Sequence, residues 1–180
     1  MKKLVLIFAA AAIVFSACNS NNNKSSSVQE SNKETKQELL QMIKNTEKEV
    51  FDVPPEKINQ SKAKFLAGYY VQYAAFGDSL APEFLYKAAG IYMNTGAPAK
   101  SIDALNEIIN KHPDFNKIEN CYFLRGFVYD DKLKDTVNAG KYYREYLQKY
   151  PKGDFAPDAR LLLENMGKST EEIFEEIKKK

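Results

Sequence analysis

The stretch PEFLYKAAGIYMNTGAPAKSIDALNEIINKHP, residues 82–113, decides the fold of this chain. Apolar residues recur at helical spacing on both sides of Gly96, and Pro113 closes the segment. Ala89 before the turn and Ser101 after it are small enough to let two helices approach closely, because interiors pack densely. The pattern therefore predicts two antiparallel helices joined by a tight turn at Gly96.

The same order of residue classes returns in the segment that closes at Pro151. Gly126 takes one of its small positions and Tyr143 takes one of its large positions. One extra residue lengthens the turn between the two helices of this segment. We therefore predict two consecutive repeats of one helical hairpin, at 82–115 and 119–153.

Helical periodicity also runs through the flanking sequence, where Pro or Gly marks most of the breaks. Ser31-x-x-Glu34 is typical of a capping box that begins a helix, and Pro54-Pro55 would end this first helix. A second helix would end at Gly77, and six more would cover 82–94, 97–111, 117–130, 136–150, 156–166 and 170–178. No segment alternates as a strand does. The sequence predicts an all-α protein of stacked antiparallel helical hairpins, with about eight helices.

The residues from about Ser61 to Gly167 resemble the tetratricopeptide repeat family. The first repeat carries the residue classes of the family at the expected offsets, namely Leu85, Ala88, Ala89, Tyr92, Gly96, Ser101, Leu105 and Pro113. Arg125 departs from the family pattern, in which Leu stands at this position. The resemblance implies a solenoid of hairpins whose first helices line a concave groove. It also implies a protein that binds other proteins and is not an enzyme.

A narrower likeness links two junctions between hairpins. YVQYAAFGDSLAPEFLYKAA, residues 70–89, and YREYLQKYPKGDFAPDARLLL, residues 143–163, share the order Tyr, a turn with Gly and Asp, Ala-Pro and an acidic residue. The pattern resembles the repeats of BamD-type outer-membrane assembly lipoproteins and of the Tol–Pal accessory proteins. This resemblance implies a function in the cell envelope.

The beginning of the chain is typical of a bacterial lipoprotein. Two lysines precede the apolar run 4–14, which is shorter than the roughly 20 residues of a transmembrane helix. Ser16-Ala17-Cys18 then resembles a lipobox, with Phe15 where Leu is most usual. We predict a signal peptide at 1–17 and lipidation of Cys18, although an ordinary signal peptide that contains a cysteine is the alternative.

Residues 18–30 are predicted to be a disordered tether, because Asn, Ser and Lys predominate and offer little apolar surface to bury. Asn19 is not the Asp that retains lipoproteins at the inner membrane in the resembling systems. The resemblance therefore favours an outer-membrane location, with the protein anchored by lipid at the periplasmic face. The folded domain would occupy 31–180.

Charge and cysteine content exclude several classes of function. The 26 basic residues include Lys2 and Lys3, so the chain after the signal peptide has as many basic as acidic residues, 24 of each. Nucleic-acid binders usually have a basic excess, and we expect none of that activity here. Once Cys18 is lipidated, Cys121 has no partner for a disulfide within the chain, and we predict a buried, unreactive thiol.

Nothing in the sequence indicates catalysis. His112 is the single histidine, and neither a zinc-ligand pattern nor a nucleophile motif accompanies it. Asp130, Asp131 and Asp135 lack the glycine and the closing Glu of a calcium loop. We therefore expect no enzyme, no metal and no cofactor.

The family's groove positions give the candidate binding site. Carried over to this chain, they are Tyr86, Met93 and Asn94 in the first repeat and Phe123, Phe127 and Asp130 in the second. Exposed aromatic residues in a groove would bind an extended or helical peptide. The alternative is that these residues pack against neighbouring helices.

The final helix has two interpretations. It could cap the stack by covering Ile173, Phe174 and Ile177 on the last hairpin, or it could bind a partner. For the whole protein we predict a lipid-anchored scaffold that binds other envelope proteins, with outer-membrane protein assembly as one candidate process. The alternative is a lipoprotein that binds a small ligand or a glycan for uptake.

Overall fold

The computed structural model describes residues 24–178, and every regular element in this range is helical. The α-helices in it are α1 (Lys24–Phe51), α2 (Gln60–Ala74), α3 (Ala81–Asn94), α4 (Pro98–Lys111), α5 (Ile118–Phe127), α6 (Thr136–Lys149), α7 (Ala156–Asn165) and α8 (Thr170–Lys178). The predicted all-α fold with about eight helices is confirmed. Helices α3 to α8 begin and end close to the predicted positions.

Glycine and capping residues explain where the helices break. Gly77 and Gly96 have positive φ angles of 68° and 73°, a backbone region that strains residues with a side chain, and each ends a helix. Asn59 caps the beginning of α2 and Asp135 caps the beginning of α6, because their side chains accept backbone hydrogen bonds at 3.0 Å from Lys62 and Asn138. The local sequence therefore specifies these turns without help from distant residues.

The turn between α5 and α6 contains a π-helix at Val128–Lys132. The amide of Leu133 donates to the carbonyl of Val128 at 3.2 Å, which is the five-residue spacing of a π turn. Because a π turn holds one more residue than an α turn, it accommodates the extra residue of the second repeat. The sequence showed the insertion, but its conformation was not predicted.

Helix α1 begins earlier than the sequence suggested. Residues 24–30, which we assigned to the tether, are helical, and Ser31 lies inside α1 and not at its start. Extension of a helix adds one hydrogen bond for each residue fixed, which favours continuation once a helix has formed. The predicted signal peptide, Cys18 and the first part of the tether lie outside the described residues.

Three hydrophobic clusters run along the stack, and each joins consecutive helices. The first is built by α1, α2 and α3, the second mainly by α3, α4 and α5, and the third by α5, α6 and α7. Helices therefore contact chiefly their neighbours in sequence, which defines a helical-repeat solenoid. Residues from Thr35 onward form one compact unit, and the described residues before Thr35 are not part of it.

Arg125 of α5 is buried between this helix and its neighbours α4 and α6, at a position where the family pattern has Leu. One of its terminal nitrogens donates to Asn106 at 2.9 Å, and the other lies 2.8 Å from the carboxylate of Glu145. Its guanidinium carbon lies 4.1 Å from the centroid of the Tyr142 ring. Stacking and charge pairing thus replace the apolar contact that Leu would make.

Phe174, in the last helix α8, is 58% exposed. Of the two interpretations of the final helix, the one in which Phe174 is covered on the last hairpin does not hold for this side chain, because it faces solvent. Within residues 24–178, no helix combines the length and the apolar character needed to cross a membrane.

Candidate functional site

A groove of about 630 Å³ lies between helices α1 and α3, and we call it the α1–α3 groove. Its walls are mainly apolar, with Phe51 from α1, Ile58 from the following turn, and Ile91 from α3. Tyr70 of α2 and Tyr86 of α3 are further aromatic residues of the lining. The full lining is Glu47, Phe51, Ile58, Ala63, Tyr70, Glu83, Tyr86, Lys87, Gly90, Ile91, Asn94, Thr95 and Lys117.

Local packing positions the aromatic side chains of the groove. Tyr70 is fully buried and stacks on Phe84 with 5.1 Å between ring centroids. Tyr86 is half-buried, and its ring lies 6.0 Å from that of Phe115. Phe51, by contrast, is 51% exposed at the end of α1. The groove thus has a rigid aromatic floor and an accessible aromatic edge.

Ion pairs along the groove link the first helix of one hairpin to the first helix of the next hairpin. The ammonium of Lys87 on α3 lies 3.0 Å from the Glu47 carboxylate on α1. Lys117, just before α5, donates to both oxygens of Glu83 at 2.9 and 3.0 Å. Every charged side chain in the lining therefore has an opposite charge beside it.

The Glu47 carboxylate is held in its ionised form. Burial acts to raise its pKa, but hydrogen bonds from Tyr70 at 2.5 Å and from Lys87 outweigh burial and lower the pKa overall. Burial, together with the same contact, raises the pKa of the Tyr70 hydroxyl far above its usual value. Both groups keep their charge state at neutral pH, so they act as fixed walls of the groove.

The structure places two of the three first-repeat residues of the predicted site in the groove lining. Tyr86 and Asn94 line the α1–α3 groove. Met93, like Tyr86, is half-buried and packs against the second hydrophobic cluster, but it is not among the residues that line the groove. Whether Tyr86 and Asn94 contact a partner stays a prediction.

Of the second-repeat residues of the predicted site, Phe123 is buried, and Phe127 and Asp130 are half-buried. Phe123 is buried and stacks on Phe155 with 4.6 Å between ring centroids. Phe127 is half-buried and packs in the same cluster, with its ring 6.5 Å from that of Phe123. Asp130 accepts a 3.3 Å hydrogen bond from the buried Tyr143 hydroxyl. The packing of Phe123 agrees with the alternative given for these residues, and whether Phe127 and Asp130 contact a partner stays a prediction.

Sequence reasoning missed the contribution of α1 and α2 to the groove. Phe51, Ile58 and Tyr70 lie before the two clear repeats, and no proline closes this first hairpin. A signal was nevertheless present, because the likeness of residues 70–89 to 143–163 marks α2–α3 as a repeat junction like α6–α7. The resemblance from about Ser61 onward already placed α2 in the repeat array, but no groove residue was assigned to α1 or α2.

Other candidate chemistry has a structural explanation. Asp131 pairs with Lys132 at 2.7 Å, and Asp135 caps α6. His112 follows the last residue of α4 and is its C-cap residue. Among the described residues, no three His, Cys, Asp or Glu side chains come together in a way that could hold a metal ion.

These features define a helical-repeat protein with an apolar groove. The family model for the tetratricopeptide repeat matches residues 83–114 and 120–153, which coincide with the hairpins α3–α4 and α5–α6. The match supports a tetratricopeptide repeat protein and a TPR-like solenoid as its fold. The comparisons with curated proteins and with solved structures produced no match.

Proposed function

We propose that this protein is a scaffold that binds a segment of another protein in the α1–α3 groove. Tetratricopeptide repeats generally serve protein–protein interaction and are not generally catalytic. The observation that carries the proposal is the exposed Phe51 ring at the edge of an apolar groove that no helix of the described chain fills. Aromatic residues of this kind contribute strongly to protein interfaces.

The proposal extends to the setting of the protein. Its N-terminal sequence supports a lipid anchor at Cys18, and the likeness of its repeat junctions to envelope proteins supports partners in the cell envelope. An anchor would raise the local concentration of the scaffold at a membrane, so that a weak groove could still bind its partner. Outer-membrane protein assembly is the process that this resemblance favours.

A cross-linked pull-down from detergent-solubilised membranes tests the scaffold. The Phe51→Ala variant removes an exposed groove side chain, and Phe65→Ala is its matched control, because Phe65 is 67% exposed on α2 outside the groove lining. We expect the same partners with the wild type and Phe65→Ala, and their loss with Phe51→Ala. Equal recovery by all three proteins would exclude the groove as the binding site.

Fractionation of a Cys18→Ala variant tests the anchor separately. We expect the wild type in the membrane fraction and the variant in the soluble fraction. A variant that stays with the membrane would show that Cys18 does not anchor the protein, whatever the pull-down finds.

A small-ligand site is the second candidate function. A volume of about 630 Å³ lies within the roughly 300–1,000 Å³ of small-molecule pockets. Thermal shift screening against apolar metabolites and sugars would test it. A ligand that raises the melting temperature of the wild type and of Phe65→Ala, but not of Phe51→Ala, would favour this function.

A further inference from the structure

Gly90 lies in the middle of helix α3, on the wall of the α1–α3 groove, between Tyr86 and Asn94. Its backbone is helical, so it does not need the conformational freedom of glycine. A glycine in a helix interior destabilises the helix relative to alanine. Its presence at this position therefore requires another reason.

Packing within the chain does not supply that reason. A Cβ built on Gly90 has no atom within 4 Å outside its own helix and its chain neighbours. Close approach of α3 to α4 depends on the preceding residue, because the Ser101 hydroxyl donates to the carbonyl of Ala89 at 2.8 Å. In the second repeat, where Gly126 takes the small position of Ala89, the residue that corresponds to Gly90 is Phe127 of α5. A side chain is thus tolerated at this place in a hairpin.

The other glycines show how unusual Gly90 is. Each of six has a positive φ or a neighbouring atom close enough to oppose a Cβ, namely Gly77, Gly96, Gly126, Gly140, Gly153 and Gly167. Gly68 of α2, like Gly90, has neither a positive φ nor an atom close to a built Cβ, and nothing in the structure explains it. Gly68 does not line the groove, which makes it a suitable control.

The charges around Gly90 indicate what kind of group would enter. Glu47 pairs with Lys87, and Glu83 pairs with Lys117, so the four charged side chains of the lining neutralise one another. A charged group that entered would find no free opposite charge and would compete with an existing pair. Beside Gly90 lie Tyr86, Ile91 and Asn94, whose side-chain amide donates to the Gly90 carbonyl at 3.0 Å. The complement of this groove is therefore uncharged and mainly apolar.

We propose that the missing side chain at Gly90 leaves room in the groove for a bulky, uncharged apolar side chain of a partner peptide. The anchor would pack between Phe51 on the α1 side and Tyr86 on the α3 side. This inference rests on the proposed scaffold function and names the class of segment that the scaffold binds. Gly90 would then be a specificity-determining residue, kept in spite of its cost in helix stability.

Two substitutions at Gly90 separate this role from a structural one. Gly90→Ala should raise the melting temperature by about 2 °C, because alanine favours the helix and meets no neighbour. Gly90→Leu should leave the fold intact and fill the groove. Gly68→Ala and Gly68→Leu are the matched controls on α2. A melting temperature that falls for Gly90→Ala would show that Gly90 is required for folding, and would overturn the proposal.

Binding is tested with a phage-displayed library of random peptides, selected on the full-length wild-type protein held in detergent. We expect the enriched peptides to share a bulky apolar residue without a charged neighbour at the anchor. Their affinity should fall by about tenfold or more for Gly90→Leu and should be unchanged for Gly68→Leu.

The outcomes distinguish the two proposals. Peptides that bind Gly90→Leu as well as the wild type, or that share a charged anchor, would overturn the role of Gly90 but leave a peptide-binding scaffold. A selection that enriches no peptide on the wild type would overturn both proposals.

Discussion

Gly126 of α5 lies directly against the ring of Tyr143 of α6. A Cβ at Gly126 would lie 2.7 Å from Cδ1 of that ring and 2.9 Å from Cε1. Tyr143 is fully buried, and its hydroxyl bonds to Asp130, so the ring has little room to move. The absence of a side chain at Gly126 therefore sets how closely the two helices of the second repeat approach.

We expect Gly126→Ala to destabilise the protein by about 1–3 kcal/mol, because the added methyl group forces the Tyr143 ring or the helix to shift. Urea unfolding followed by circular dichroism would measure the change. Gly68→Ala is the control, since a Cβ there meets nothing. Equal stability of Gly126→Ala and the wild type would show that the contact is not tight in solution.

The Tyr146 hydroxyl joins α6 to the turn before α7. It donates to Glu119 at 2.6 Å and accepts from the backbone amide of Phe155 at 3.0 Å. Tyr146→Phe would leave the Phe155 amide without this acceptor, and we expect a loss of about 1–3 kcal/mol in the free energy of unfolding. Tyr92→Phe should cost less, because the Tyr92 hydroxyl bonds to no other described residue. Similar losses for both variants would contradict this assignment.

Acid should weaken the contact of α1 with the rest of the stack. Burial acts to raise the pKa of Asp78, but hydrogen bonds from Lys36 and Tyr73 lower it overall, and the pKa of Glu47 is lowered in a similar way. A group with a lowered pKa stabilises the fold when the pH is above its ordinary pKa, which is 3.8 for Asp and 4.5 for Glu. This stabilisation is lost as the pH falls through the lowered pKa of the folded protein.

Urea midpoints measured from about pH 7 down to about pH 3 would test this expectation. The wild type should lose stability in the acid range, and Asp78→Asn should lose less over the same range because one of the two groups is gone. An identical pH dependence of the two proteins would show that Asp78 does not contribute.

Cys121 should be unreactive in the folded protein. It is fully buried, and burial raises the pKa of its thiol to about 12. Because the thiolate is the reactive form, alkylation by iodoacetamide should be slower by about a thousandfold than for an ordinary cysteine. Mass spectrometry of the peptide that contains Cys121 would give the rate with and without urea. Rapid labelling without urea would contradict the buried position.

Much of the fold could be predicted from the sequence because its signals are local. Gly77 and Gly96 break helices by their own backbone geometry, and Pro98 and Pro157 stand in the first turn of α4 and α7. Such effects need only a few neighbouring residues. The beginning of α1 was missed because helix extension through polar residues leaves no comparable mark.

Part of the candidate site could be predicted from the sequence, and part depends on the tertiary structure. The sequence by itself determined that the chain forms stacked hairpins and that Tyr86 and Asn94 belong to a first helix. Only the tertiary structure decided that Phe123 is buried while Phe51 is exposed, because burial depends on which side chains arrive from other helices. Phe155 covers Phe123, and no described side chain covers Phe51 to the same degree. A helical pattern marks an apolar face but does not specify what packs against it.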